Sequence, residues 1–233
     1  MNLQQLLQAD TSDSICMVKF STLDAPRCSP ASKRFVYPVS WQSWLFPLIK
    51  EYQIVTFKNL LILLSKCHAQ AFQMGWWSDC PPKDDPAFKW YLATKLCLIH
   101  SEIDEAAAMG MDDHLPHRSA FEVELADTVI RAMDMIGFIG TPDDCEMTPF
   151  FSNGTESLLN VLHQCASRAM EFMRKGHSDG MVRELYRLIV TVQRCQGEFC
   201  VDIHAAMVEK LEYNARRADH QLVNRQADGG KSF

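Results

Sequence analysis

Apolar side chains recur every three or four residues along most of the chain after residue 52, which is the period of an amphipathic α-helix. The pattern predicts six helices, over about 52–75, 86–110, 119–140, 155–175, 179–196 and 199–217. The apolar stripes of the second and third helices are Leu92, Leu96, Ile99, Ile103 and Ala106, then Leu125, Val129, Ala132 and Ile136. No segment shows a convincing strand pattern, so the predicted fold class is all-α.

Prolines and loop residues divide the chain into three parts. Residues 1–51 are irregular and proline-rich, and they form an N-terminal extension to which the sequence assigns no role. Residues 52–217 carry the helical pattern and are expected to form one all-α domain. Residues 218–233 form a polar C-terminal tail that contains glycine.

An internal repeat relates two helical hairpins of the main domain, residues 86–140 and 155–197. LIHSEIDEAAAM aligns with VLHQCASRAMEF, which places His100 opposite His163. VELADTVIRAMDMIG aligns with RELYRLIVTVQRCQG, which places Gly137 opposite Gly197. Two similar hairpins predict a pseudo-symmetric four-helix core with flanking helices.

Composition and charge limit the classes of protein to which the chain could belong. The net charge of −6 gives no support for a broad surface that binds duplex nucleic acid. The nine cysteines are odd in number and form no C-x-x-C pair, which indicates reduced thiols and a cytoplasmic location. The apolar run IVTFKNLLILL is short and contains Lys58, so we expect no membrane span. Apolar faces on six helices favour a homodimer.

Two carboxylate pairs flank the apolar stripes of neighbouring predicted helices. Glu102 and Glu105 are three residues apart on one helix, and Glu124 and Asp127 repeat that spacing on the next. Residues three apart share a helix side, so antiparallel packing would bring all four carboxylates to one groove. All-oxygen ligands favour Mg²⁺, with Mn²⁺ as the alternative, and no Glu-x-x-His motif supports a di-iron site. The competing interpretation is two solvated acidic helix faces.

The second hairpin has lost most of this acidic set. Its aligned positions carry Cys165, Arg168, Glu184 and Arg187. A purely structural acidic face would have no reason to differ so sharply between the two halves. We therefore expect one metal site, in the first hairpin, with the second hairpin as its structural partner.

The segments SEIDE and ELAD resemble the Glu-Glu-x-x-Glu … Glu-x-x-Asp signature of the all-α nucleoside triphosphate pyrophosphohydrolases. That superfamily includes the MazG-like proteins and the dimeric dUTPases. GWW before the acidic helix and EKLEYNARRADH after the last helix are similar to its flanking elements, and the resemblance covers about residues 55–233. Ser101 departs from the signature, because many members carry a glutamate there.

The resemblance implies Mg²⁺-dependent cleavage of a nucleoside triphosphate to the monophosphate and pyrophosphate, for dNTP pool control or house-cleaning. It makes Glu102, Glu105, Glu124 and Asp127 the metal ligands. Glu102 or Glu105 would also orient or deprotonate the attacking water. A dUTPase is the alternative within the superfamily, and a catalytically idle helical protein that binds a nucleotide or partner is the alternative outside it.

Substrate-binding candidates lie on both sides of the acidic helices. Lys210, Asn214 and Arg217 share one helix side and would contact the substrate near the leaving pyrophosphate, unless they form a solvated basic face. Lys231, in the tail, could close over the phosphates. Trp76 and Trp77 could stack on the base, with His68 in the same pocket, although buried tryptophans that cover the bundle end would fit equally well.

Overall fold

The structure is a computed structural model that describes residues 57–141 and 154–229. The chain divides into two compact units, Met1–Leu61 and Ile62–Phe233. The predicted extension over 1–51 and the tail residue Lys231 lie outside the described residues.

The described residues form seven α-helices and no strand, so the predicted all-α class is confirmed. The helices are α1 Phe57–Gln73, α2 Ala87–Glu105, α3 Ala120–Ile139, α4 Thr155–Arg174, α5 Ser178–Phe199, α6 Ile203–Arg216 and α7 Leu222–Arg225. A short 3₁₀ turn, Ala218–His220, separates the last two. Among these helices, none is both long enough and apolar enough to cross a bilayer.

Helices α2 to α5 form a four-helix core. Each hairpin packs internally, α2 on α3 and α4 on α5, and the hairpins meet through contacts of α2 with α4 and of α3 with α5. Corresponding helices of the two hairpins therefore touch, as a pseudo-symmetric arrangement requires, while the repeat itself stays a prediction. Helix α6 packs on the outside of α3.

The apolar stripes predicted for α2 and α3 lie inside this core. Leu96, Ile99 and Ile103 of α2 are fully buried, and so are Leu125 and Ile136 of α3. Burial of one such side chain stabilises a fold by about 1.5–3 kcal/mol, which holds the two helices side by side. The residue next to each stripe is thereby fixed at the groove between the helices.

The ends of α2 and α3 decide where the acidic residues lie. Helix α2 ends at Glu105, five residues before the predicted end at residue 110, and Ala106 is its C-cap. Helix α3 begins after Ser119, whose hydroxyl accepts a hydrogen bond from the Glu122 backbone N–H at 3.2 Å. Glu105 thus occupies the last turn of one helix, whereas Glu124 and Asp127 lie well inside the other.

An ion-pair network fastens α6 to the start of α3. Arg118 binds Glu122 and Glu209, each at 2.7 Å, so one guanidinium joins the two helices. Glu122 also accepts a hydrogen bond at 2.7 Å from the backbone N–H of Asp202, the N-cap residue of α6. This network fixes the position of α6 relative to α3, and therefore the position of Lys210, which α6 carries.

Candidate metal centre

Three carboxylates from two helices meet in the groove between α2 and α3. Glu102 comes from α2, and Glu124 and Asp127 come from α3. One carboxylate oxygen of each lies within 4.8 Å of the other two. Glu102 is 6% exposed and Glu124 is 8% exposed, while the Asp127 side chain is 14% exposed. We call these three residues the acidic triad.

Glu105 lies outside the acidic triad. It is the last residue of α2 and is exposed. Partial burial and the nearby Glu102 carboxylate nevertheless raise its pKa. Three of the four predicted ligands therefore converge, and the fourth lies at the rim of the same site.

Two side-chain cations neutralise the acidic triad. The guanidinium of Arg131 donates a hydrogen bond from Nε to Glu102 Oε1 and forms an ion pair with the same oxygen. Lys210 reaches in from α6, and its Nζ lies 2.9 Å from Asp127 Oδ2. His114, in the α2–α3 loop, lies 3.5 Å from the same Nζ through its Nδ1.

Crowding of the carboxylates makes this groove electrostatically unusual. Burial, a hydrogen bond with Glu102 and the charge of Asp127 raise the pKa of Glu124 to about 9. Burial raises the pKa of Asp127 to about 6, against the opposing effect of Lys210. Burial alone would lower the pKa of Lys210, but the ion pair with Asp127 raises it. A cation that enters the groove lowers the electrostatic energy of these crowded carboxylates in their ionised form.

The donors of the acidic triad suit a hard divalent cation. All three residues offer carboxylate oxygen, the ligand type that Mg²⁺ and Mn²⁺ prefer over nitrogen or sulfur. Because the three oxygens lie within 4.8 Å of one another, inward movement of the side chains would let one ion contact all of them.

The predicted phosphate-binding residues lie at different distances from the acidic triad. Lys210 contacts the triad directly. Asn214, one turn further along α6, has a buried Oδ1 with no hydrogen-bond partner. Arg217 follows the end of α6 and binds Asp219 at 2.7 Å. Sequence spacing placed all three on one side, but the helix ends before the third.

The predicted base-binding residues belong to an aromatic cluster at the end of α1. Trp77 is buried, stacks on Phe138 with ring centroids 3.9 Å apart, and donates from Nε1 to Asp134 Oδ1 at 2.8 Å. His68 Nδ1 lies 2.9 Å from the same Asp134 oxygen. These contacts agree with the alternative in which Trp77 covers the bundle end.

Trp76 is more accessible than Trp77, although a cation covers one face of its ring. It is partly exposed, and the Arg225 guanidinium carbon lies 3.5 Å from its ring centroid. The His220 ring meets it edge-on, with centroids 5.2 Å apart. A base that stacks on Trp76 would have to take the place of Arg225 or approach the other face.

The sequence interpretation missed Arg131, although its spacing identifies it. Arg131 lies four residues after Asp127, and Asp134 lies seven residues after Asp127. All three therefore lie along one side of α3. An arginine one helical turn from a predicted ligand indicates a counter-ion for the carboxylates. A search for carboxylate spacing alone does not find it.

The second hairpin contains no comparable cluster in the part of the chain that the structure describes. Glu184 keeps the acidic position, and its Oε1 accepts a hydrogen bond at 2.7 Å from Arg187 of the same helix. Its other oxygen is buried without a hydrogen-bond partner. Cys165 is buried, and burial raises the pKa of its thiol to about 12. The difference between the two halves fits a single metal site.

No protein-family model, curated protein or solved structure matches this chain.

Proposed function

We propose that this protein is a Mg²⁺-dependent nucleoside triphosphate pyrophosphohydrolase of the MazG-like type. It would cleave a (d)NTP between the α and β phosphates and release the monophosphate and pyrophosphate. The observation that carries the proposal is the acidic triad, in which Glu102, Glu124 and Asp127 from two neighbouring helices lie within 4.8 Å of one another. The resemblance of SEIDE and ELAD to the superfamily signature connects this site with phosphate chemistry.

The acidic triad would hold the ion, for which Mn²⁺ could replace Mg²⁺. When bound, the ion neutralises phosphate charge and acts as a Lewis acid. Three carboxylates leave the other coordination positions for water and phosphate oxygens, as is usual for Mg²⁺ in nucleotide sites. Burial of the triad keeps competing water away from these oxygens, which strengthens every electrostatic interaction in the site.

Glu105 is suited to a role in proton transfer. It is exposed at the edge of the triad, so it is open to solvent and to an incoming water. Its raised pKa moves it closer to neutral pH, where a carboxylate is a better proton acceptor. We assign it the task of orienting the attacking water or taking its proton, with Glu102 primarily a metal ligand.

Lys210 provides a fixed positive charge beside Asp127 of the triad. Its side chain is 3% exposed and forms an ion pair with Asp127, so the ammonium group is held firmly in place. A cation held in this way is already oriented before charge develops on the leaving pyrophosphate, which is the condition for strong electrostatic stabilisation.

A substrate panel tests the proposal. Purified protein is incubated with each NTP and dNTP and Mg²⁺, and monophosphate and pyrophosphate are measured. Glu124→Gln should lower kcat more than about 100-fold, because it removes a metal ligand. Substitution of a residue that only hydrogen-bonds to a metal ligand typically costs about 10–100-fold. Glu184→Gln, the aligned substitution in the second hairpin, is the matched control and should retain activity.

Three results would change the conclusion. Full activity of Glu124→Gln would show that the ligand set is wrong. No monophosphate from any nucleotide, in repeated preparations with a normal helical spectrum, would favour the non-catalytic nucleotide- or partner-binding protein. Turnover confined to dUTP would identify a dUTPase-type enzyme within the same superfamily.

A further inference from the structure

The two cations at the acidic triad differ in how firmly they are held. The Lys210 side chain is 3% exposed and the Arg131 side chain is 37% exposed. The Lys210 side chain extends from α6 to Asp127 of α3, and the network around Arg118 fixes the position of α6. Arg131 lies on α3 itself and reaches Glu102 on α2 from the solvent side. Arg131 can therefore leave its partner without uncovering the core, and Lys210 cannot.

A metal ion and Arg131 require the same oxygen region. Arg131 binds Oε1 of Glu102, one of the three residues whose oxygens converge. A divalent ion among these oxygens would lie within a few ångströms of both side-chain cations and would repel them. The side chain that can move will relieve this repulsion, and exposure identifies it as Arg131.

The displaced guanidinium would remain on the solvent side of the triad. Arginine binds phosphate through two parallel hydrogen bonds, and its planar guanidinium is well suited to this contact. The bound nucleotide would thus give Arg131 a new anionic partner in place of Glu102.

We infer that Arg131 is a counter-ion that the divalent metal displaces from Glu102, and that it then binds the phosphates of the nucleotide. The inference deepens the proposed function and rests on it for the nucleotide step. Arg131 is thus a phosphate-binding residue, and its exchange of partners couples the two binding events. The free metal binds weakly because it competes with Arg131, and the metal–nucleotide complex binds tightly because Arg131 joins it.

Mn²⁺ binding tests the first step without any need for turnover. Free Mn²⁺ is measured by electron paramagnetic resonance in titrations of wild type and Arg131→Met. Removal of the competing cation should tighten Mn²⁺ binding about fivefold or more, the lower end of typical coupling between sites. Arg174→Met is the matched control, because Arg174 binds Glu171 in an exposed ion pair on α4 and should leave Mn²⁺ binding unchanged.

Binding of the preformed complex of Mn²⁺ with tripolyphosphate tests the second step. Tripolyphosphate carries the phosphate chain without a base, so the result does not depend on base preference. Calorimetry should show that the affinity of Arg131→Met for this complex, taken relative to its affinity for free Mn²⁺, is about fivefold or more lower than that of wild type, whereas Arg174→Met should match wild type. Arg131→Lys keeps the charge but loses the bidentate contact, and its affinities should fall between those of wild type and Arg131→Met.

Two outcomes would overturn the inference. One is Mn²⁺ binding by Arg131→Met that is no tighter than by wild type, and the other is an undiminished affinity for the tripolyphosphate complex relative to free Mn²⁺. Failure of the proposed function is recognised separately, since wild type would then produce no monophosphate although the Mn²⁺ titrations could still follow the expected pattern. Circular dichroism of each variant verifies that the helices have formed.

Discussion

At the scale of single residues, Lys95 is a buried cation enclosed by aromatic rings. Its Nζ donates a hydrogen bond to the Trp76 carbonyl at 2.9 Å and lies 4.9 Å from the ring centroid of Trp77. Burial lowers its pKa to about 8, although the negative charge of Asp134 opposes the shift. A lysine side chain held away from water in this way lowers the stability of the fold as long as its ammonium group is protonated.

This shift predicts how Lys95 affects stability at alkaline pH. The native state releases the proton near pH 8 and the unfolded state near 10.5, so the free energy of unfolding rises with pH between these values. From pH 7.5 to 10.5, wild type should gain on the order of 3 kcal/mol relative to Lys95→Met. Urea denaturation at both pH values measures the difference, and equal pH dependence of the two proteins would refute the prediction.

The acidic residues show what sequence alone can establish at this scale. Spacing and the adjacent stripe placed Glu102, Glu124 and Asp127 at one groove, and the structure brings them together. The same spacing placed Glu105 with them, yet Glu105 is the last residue of α2 and lies outside the triad. Periodicity defines the side of a helix on which a residue lies, but not the residue at which the helix ends.

At the scale of secondary-structure elements, α1 and α3 approach closely at Gly137. A Cβ atom added there would lie 2.5 Å from His68 Cβ and 2.7 Å from His68 Cγ. These atoms are near the His68 backbone and cannot move aside easily, and the ring is held by Asp134 at 2.9 Å. The glycine therefore allows the helix contact that orders His68 and the aromatic cluster.

Gly137→Ala should destabilise the protein in spite of the better helix propensity of alanine. The propensity gain of about 1 kcal/mol is outweighed by overpacking, which costs about 1–3 kcal/mol and displaces His68 from Asp134. Gly197→Ala, at the aligned position of α5, meets no atom within 4 Å and should be neutral or stabilising by up to about 1 kcal/mol. Thermal unfolding of both variants measures these effects, and equal changes in Tm would argue against the close contact.

Helix existence was more predictable than helix contacts. The periods of α2 and α3 were clear because one side of each helix is buried in a common core, and their bounds deviate from prediction mainly at the end of α2. The attachment of α6 to α3 depends on Arg118 and Glu209, which are 91 residues apart in the chain. A long-range ion pair of this kind leaves no periodic trace in the sequence, so Lys210 could be placed on a helix side but not against Asp127.

At the scale of the whole molecule, one histidine pair connects the two hairpins. His100 of α2 and His163 of α4 approach to 2.8 Å through their Nδ1 atoms, and their rings are nearly parallel, 5.1 Å apart. One Nδ1 must donate the proton that the other accepts, so the contact is lost when both rings are protonated. Burial and the neighbouring His163 lower the pKa of His100.

The pair should make the contact between the hairpins sensitive to acid. Because the native pKa of His100 is below its unfolded value of 6.5, the neutral form stabilises the fold above pH 6.5, and this contribution decreases as the pH falls further. Between pH 7.5 and 5.5, wild type should lose more stability than His163→Gln, which keeps a polar partner without a second imidazole. Denaturant midpoints at the two pH values measure this, and an equal loss would exclude the pair as the cause.

The position of Lys210 has a consequence for the order in which the protein is made. Helices α2 and α3 leave the ribosome before α6, and at about 5–20 residues per second Lys210 follows the end of α3 by roughly 4–14 s. During that interval Asp127 has no lysine beside it, and the nascent hairpin must tolerate crowded carboxylates through protonation, hydration or cellular divalent ions. Synthesis of the later helix therefore completes the charge balance of the earlier one.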